Sequence, residues 1–344
     1  MRPVPSDLPV LRAALLDWYD RHGRTLAWRT PPGADERPDP YRIWLSEVML
    51  QQTTTAHATP YFHAFTARWP TVSDLAAAGD GEVMAAWAGL GYYARARNLL
   101  ACARAVAGAH GGVFPDSEAG LLALPGVGAY TAAAVAAIAH GQPANVVDGN
   151  VERVMARLFA VETPLPAARP ELRALAASLV ADDRPGDWPQ ALMDLGATVC
   201  RPGRPLCGPC PLTAWCAGFR SGAPERYPLK VRKADRPRRF GSAWVLRDRT
   251  GRVALVRRPD KGLLGGMLGL PTSEWGPADT DGAPPVAAGW REAGAIEHVF
   301  SHFALTLTVR VAEGEGPFLW TGAEEALASL PTVFRKALER GLSG

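Results

Sequence analysis

The sequence predicts two domains of different class: an all-α domain over residues 1–220, and an α+β domain over 240–344. Three observations predict this. Helical periodicity runs almost unbroken to Cys200, strand-like alternation replaces it after residue 240, and a knot of cysteines followed by a basic stretch marks the change. At 344 residues, 47% of them apolar, the chain is long for a single core.

In the first part, apolar spacing predicts helices over 11–19, 41–57, 83–87 and 94–106. Two more flank Leu124-Pro-Gly-Val-Gly-Ala-Tyr-Thr, one runs from about Asp148 to Phe159, and the last two cover 172–180 and 189–199. The stretch 221–239 reads as a solvated linker. From Arg220 to Arg239 it carries Arg220, Arg226, Lys230, Arg232, Lys233, Arg236, Arg238 and Arg239 against Glu225 and Asp235, so it is also suited to touching phosphates. Beyond it, 243–246 and 253–256 flank Asp248-Arg-Thr-Gly-Arg as a hairpin, and 299–311 alternates as one half-buried strand. Helices are expected over 324–327 and 333–340, and a loose loop over 279–287.

Cys200, Cys207, Cys210 and Cys216 follow the spacing C-x6-C-x2-C-x5-C, with turn-forming Pro and Gly between the first two. Four thiolates this close can wrap one metal centre, and spacing alone leaves zinc and iron–sulfur both open. Two disulfides would need an oxidising compartment. The start of the chain lacks the basic and apolar segments of a signal peptide, and no apolar run reaches membrane-spanning length. Cys102, in an apolar helical stretch, reads as a buried small hydrophobe. A net charge of +3 is too mild to name a partner.

Several residues carry candidate chemistry. Glu47 lies among Trp44, Leu45, Val48, Met49 and Leu50, where desolvation would favour the protonated acid; a narrow exposed stripe is the competing reading. Asp148 precedes a helix, where it can cap the first amides or face a developing cation. Gly126 and Gly128 can leave amides bare at a helix start for a phosphate, or simply make a tight turn. The fuller match is to a helix-hairpin-helix DNA-binding turn, over about 117–140. Leu90-Gly-Tyr-Tyr93 is a glycine-hinged loop whose rings either pack or wedge between bases.

Together, Ser46-Glu-Val-Met-Leu-Gln-Gln-Thr53, Gly89-Leu-Gly-Tyr-Tyr93, the glycine hairpin, Val147-Asp-Gly-Asn-Val-Glu-Arg-Val154 and the cysteine spacing resemble the MutY family of adenine DNA glycosylases, in the endonuclease III superfamily. The resemblance implies a helix-hairpin-helix glycosylase domain with an iron–sulfur cluster loop, a [4Fe-4S] cofactor on the four cysteines, and a C-terminal α+β Nudix-like domain that reads 8-oxoguanine. It implies that Glu47 protonates adenine at N7 and then activates water, while ionised Asp148 stabilises the sugar cation. Tyr130 and Asn150 would orient these carboxylates. Tyr130 stands where strand-cutting relatives carry lysine, so a monofunctional enzyme is expected.

The resemblance further implies DNA or base contacts by Trp28, Arg29, Leu50, Gln52, Thr53, Leu90, Tyr92, Gly126, Gly128, Ser301 and His302. Leu263 to Pro271 and Phe300-Ser-His302 carry the Nudix-like match, and no R-E-x-x-E-E metal run follows Pro271. The loop 30–40 is longer than the family's usual connection. The expected partner is duplex DNA with adenine opposite 8-oxoguanine or guanine. The expected setting is a cytoplasmic, nucleoid-associated monomer of bacterial type.

Overall fold

The computed structural model describes residues 7–343 apart from 35, 232–235, 260–261, 279–281 and 301. The chain forms two compact units, Met1–Val231 and Arg232–Gly344. The division falls in the basic stretch, but residues up to 231 pack on the first unit: Leu165 donates its amide to Leu229 O at 2.8 Å, and Arg157 Nε reaches Tyr227 O at 3.0 Å.

The first unit is helical: α1 Leu8–His22, α2 Pro40–Leu50, α3 Thr55–Arg68, α4 Val72–Ala77, α5 Asp80–Ala86, α6 Ala94–Ala109, α7 Glu118–Leu122, α8 Ala129–Ile138, α9 Gly149–Leu158, α10 Arg169–Ala177, α11 Asp187–Thr198 and α12 Ala217–Arg220. At its centre α8, Ala-Tyr-Thr-Ala-Ala-Ala-Val-Ala-Ala-Ile, is buried from Thr131 to Ile138. A helix apolar on every side belongs in a core, and its alanines let neighbouring helices approach closely. α2 packs on it and buries all its residues from Tyr41 to Met49 except Arg42. No helix among the described residues is long and apolar enough to cross a membrane.

The expected single helix over 41–57 is two helices. It breaks after Leu50, Gln52 takes φ +60°, and Thr54 caps α3 through His57 N. Gln51, Gln52 and Thr53 therefore lie in a turn, not on the helix of Glu47. The cause is distant in sequence: Arg95 Nη1 accepts the role of C-cap, donating to the carbonyls of Val48, Met49 and Gln51 at 3.0, 3.1 and 2.6 Å. These are the carbonyls a helix end leaves unsatisfied.

The second unit contains β1 Arg238–Arg247, β2 Val253–Arg257, β3 Leu268–Gly269, β4 Arg291–Val299, β5 Ala304–Glu313, β6 Leu319–Thr321, α13 Ala323–Ser329 and α14 Thr332–Ser343. The sheet order is β3-β2-β1-β5-β4, with β6 on β2; β1 and β5 run parallel, β4 and β5 antiparallel. The expected strand over 299–311 starts late. Val299 ends β4 and pairs with Ala304, and between them the Phe300 amide donates to Phe303 O at 2.9 Å. The alternation beyond it is as expected, with Leu305, Leu307 and Val309 buried. Phe334, Ala337 and Leu338 of α14 are buried in the same core. Arg291-Glu-Ala-Gly-Ala lies in strand β4, not on a helix.

Candidate active site

A pocket of about 840 Å³ opens in the first unit. Nine expected residues line it: Trp28, Arg29, Glu47, Leu50, Gln52, Thr53, Tyr130, Asp148 and Asn150. α2 supplies Glu47, the first turn of α8 supplies Tyr130, and the start of α9 supplies Asp148 and Asn150.

Glu47 is 6% exposed, so the exposed-stripe reading fails. Tyr130 donates its hydroxyl to Glu47 Oε2 at 2.8 Å. Burial pushes the Glu47 carboxyl up to about 7, with a further rise from the Asp148 charge; the Tyr130 hydrogen bond and the Arg29 charge oppose this. Burial also holds the Tyr130 phenol well above its ordinary range, so it remains a donor.

Asp148 is both a cap and a pocket-lining carboxylate. Its Oδ1 accepts from the amides of Asn150 and Val151, each at 2.8 Å, and its Oδ2 accepts from Asn150 Nδ2 at 2.6 Å. These donors fix the carboxylate at the positive end of α9. The chain of contacts continues: Asn150 Oδ1 accepts from Arg153 Nη2 at 2.9 Å, and Arg153 Nε donates to Cys200 O at 2.8 Å. The cysteine loop and the Asp148 carboxylate thus share one hydrogen-bonded path.

The four clustered cysteines are free thiols and line one small cavity with Arg157 and Phe219. Donors point at two sulfurs: Arg157 Nη1 lies 3.3 Å from Cys200 Sγ, and Phe219 N lies 3.4 Å from Cys216 Sγ. Among the described residues no three His, Cys, Asp or Glu side chains close on a point as for a single ion. Cys102 is buried, as expected.

At the hairpin the two glycines differ. Gly126 has φ +72°, and a Cβ there would lie 2.5 Å from Asn98 Cβ. Gly128 caps α8 with φ −94°, and a Cβ there would meet nothing within 4 Å. Of the two, Gly126 alone takes a backbone angle that residues with a Cβ rarely adopt. Gly126→Ala should therefore destabilise the fold by about 2 kcal/mol or more, through strain and the Asn98 clash. Gly128→Ala should leave thermal unfolding unchanged.

Other expected contacts are placed differently. Leu90 is 4% exposed and packs in the core, so its side chain faces away from solvent. Tyr92 is 56% exposed with φ +48°, and Gln52 is exposed beside the pocket. His302 is exposed at the β4–β5 turn, and Ser301 lies outside the described residues.

Sequence reasoning missed Asp194, Arg24, Arg95 and Arg153. Asp194 is fully buried and ion-pairs with Arg24 Nε at 2.6 Å and Arg29 Nη1 at 2.7 Å, fixing Arg29 at the pocket wall. Its signal was present: Ala191-Leu-Met-Asp-Leu-Gly is a carboxylate in an apolar helix, as around Glu47.

The model of the HhH-GPD superfamily of base excision DNA repair proteins matches residues 45–178, and that of the NUDIX domain matches 242–340. An adenine DNA glycosylase of Mycolicibacterium smegmatis is 43% identical over 239 residues, 69% of this chain and 80% of that protein. The adenine DNA glycosylase of Homo sapiens is 37% identical over 378 residues, covering 91% of this chain and 69% of the human protein. The chain belongs to the adenine DNA glycosylase family. Solved structures agree on the fold of this family's first unit. A thermostable thymine-DNA glycosylase, 30% identical, superposes with a TM-score of 0.56 over 62% of this chain and 97% of its own. A trapped endonuclease III–DNA covalent intermediate, 22% identical, superposes with a TM-score of 0.53 over 64% of this chain and 99% of its own.

Proposed function

We propose that this protein is a monofunctional glycosylase that hydrolyses the N-glycosidic bond of adenine mispaired with 8-oxoguanine or guanine in duplex DNA. The observation that carries the reading is the pocket with two carboxylates in unlike surroundings. Glu47 is buried and biased toward its protonated form, while Asp148 is ringed by N–H donors. Opposed environments of this kind assign acid and anion roles.

Adenine is a poor leaving anion, and stacked in a duplex its atoms are out of reach, so it must be turned out into the pocket. Protonated Glu47 donates to N7 as the bond to the sugar breaks. Asp148 then faces the oxocarbenium-like sugar, and Glu47, now a base, takes a proton from the attacking water. Tyr130 orients Glu47 through its 2.8 Å hydrogen bond. A phenol at this position offers no amine for a Schiff base, which supports hydrolysis without strand cutting.

Gly128 fits phosphate contact, because it opens α8, whose first amides have no intrahelical partner, and the space where its Cβ would stand is free for a ligand's approach. Gly128→Ala should weaken binding of an undamaged duplex at unchanged stability; unchanged binding would take the phosphate away from this turn.

The four cysteines are proposed to hold a [4Fe-4S] cluster. Four thiols around one cavity, with N–H donors aimed at two sulfurs, fit thiolate ligands. Cys200, Cys207, Cys210 and Cys216 would hold it and, so bound, would tie the loop 200–216 together; the proposed bond-breaking step uses Glu47 and Asp148 instead. Cys207→Ser should abolish the brown colour of the purified protein. A colourless wild-type protein containing zinc would sink this assignment.

The second unit is proposed to read 8-oxoguanine without hydrolysing nucleotides. The residues Arg291–Val299 form a strand, which supports the absence of a metal-binding glutamate helix there. The turn carrying Phe300 and His302 rests on Trp275, whose ring lies 5.8 Å from Phe300 in a stacked arrangement. Adenine opposite 8-oxoguanine should be released faster than adenine opposite guanine. His302→Ala with Ser301→Ala should shrink that ratio, and an unchanged ratio would remove the turn from the reading.

A further inference from the structure

Arg95 lies in the first turn of α6, outside the pocket, and its guanidinium gathers two separate turns. Nη1 donates to Val48, Met49 and Gln51 carbonyls, and Nη2 to those of Leu90 and Gly91 at 2.8 and 3.3 Å. Its centre also lies 5.3 Å from the Trp87 ring and 5.6 Å from the Tyr92 ring.

The two residues that follow the held carbonyls at Gln51 and Gly91 are Gln52 and Tyr92. Both have positive φ, 60° and 48°, a region that residues with a Cβ enter only at a cost. Both are exposed. A strained, exposed side chain at the tip of each of two turns, with one buried-side cation tying both turns to the end of the Glu47 helix, is more than a helix cap requires.

We propose that Arg95 is a positioning residue for base extrusion: it locks the Gln52 turn and the Tyr92 turn into one preformed unit, in fixed relation to Glu47, that meets the duplex and holds adenine out of the stack. This inference rests on the adenine-excision reading and deepens it. The planar fork of arginine is what spans five carbonyls in two directions; a lysine ammonium serves one cluster at a time. R95K therefore keeps the charge and loses the bridge.

The test compares two duplexes under single-turnover conditions with enzyme in saturating excess. In one, adenine sits opposite 8-oxoguanine in intact DNA. In the other, the adenine is flanked on its own strand by tetrahydrofuran abasic analogues, so that little stacking opposes extrusion. R95K should lose about 30-fold or more on the intact duplex and under about 3-fold on the unstacked one, the difference being the extrusion step. G91A supplies a second variant that leaves Arg95 in place. It strains the same turn, at φ +70° with open space for its methyl, and should show the same pattern in milder form.

Equal losses on both duplexes, in either variant, would make Arg95 a plain support for α2 and overturn the proposal. So would wild-type rates in R95K on both. Failure of the wild-type protein to release adenine from either duplex would instead overturn the excision reading itself.

Discussion

Glu47→Gln should reduce adenine release by about 10²–10⁴-fold, the usual worth of a positioned general acid, while leaving duplex binding intact. The substitution keeps an acceptor for the Tyr130 hydroxyl and removes only the proton-transfer function. It should also stabilise the protein above neutral pH. An unfolded Glu47 releases its proton near 4.5, and the folded one holds it to about 7. Between these values the folded state binds the extra proton, so stability falls as pH rises through the window. The buried anion costs on the order of 3 kcal/mol once pH passes the folded value. Thermal unfolding at pH 8 should therefore show Glu47→Gln melting above wild type, with the gap closing below about pH 5. If the acid form is the active one, as proposed, wild-type excision should itself decline as pH rises past about 7. Loss of duplex binding in Glu47→Gln, or a lower melting temperature at pH 8, would make Glu47 a structural residue.

Asp148→Asn should be as damaging to chemistry, about 10³-fold or more, because in the proposed mechanism the developing sugar cation loses its facing charge. Its effect on stability should be small, about 1 kcal/mol, the worth of a cap contact. Asparagine can still accept from the amides of Asn150 and Val151 through its oxygen. Its amide nitrogen, however, would then face the Asn150 side-chain amide, donor against donor, where a carboxylate oxygen now accepts at 2.6 Å. Relief by flipping Asn150 would break its acceptor contact with Arg153, and so loosen the path to Cys200. The check is a single-turnover rate beside a melting curve. A large fall in melting temperature with most activity kept would leave capping as the role of Asp148.

Both carboxylates were legible in the sequence because each broke a local pattern: an acid inside an apolar helix, and an aspartate directly before one. The glycine hairpin was legible as a turn, but its two glycines act differently, and only coordinates separate the strained Gly126 from the unstrained Gly128. The break after α2 was not legible. No Gly or Pro marks it, and its cap comes from Arg95, more than forty residues on. Strand β4 escaped for another reason. Among the described residues it pairs only with β5, with a register shift between Glu292 and Gly294, and none of its residues is buried. Its apolar alternation is accordingly weak, and the clear alternation of β5 was extended backward across the turn. Arg24 escaped because its partner Asp194 is brought close by packing alone, and so are the α2 carbonyls held by Arg95 and the Cys200 carbonyl held by Arg153; Asp194 did carry a local signal, an acid inside an apolar helix.

The most direct test of the account is adenine release under single turnover from a duplex with adenine opposite 8-oxoguanine, analysed with and without hot alkali. If Glu47 and Asp148 direct water to the sugar as proposed, free adenine should be released with strand breaks only after alkali, since Tyr130 offers no amine. Strand breaks without alkali at the rate of adenine release would contradict it.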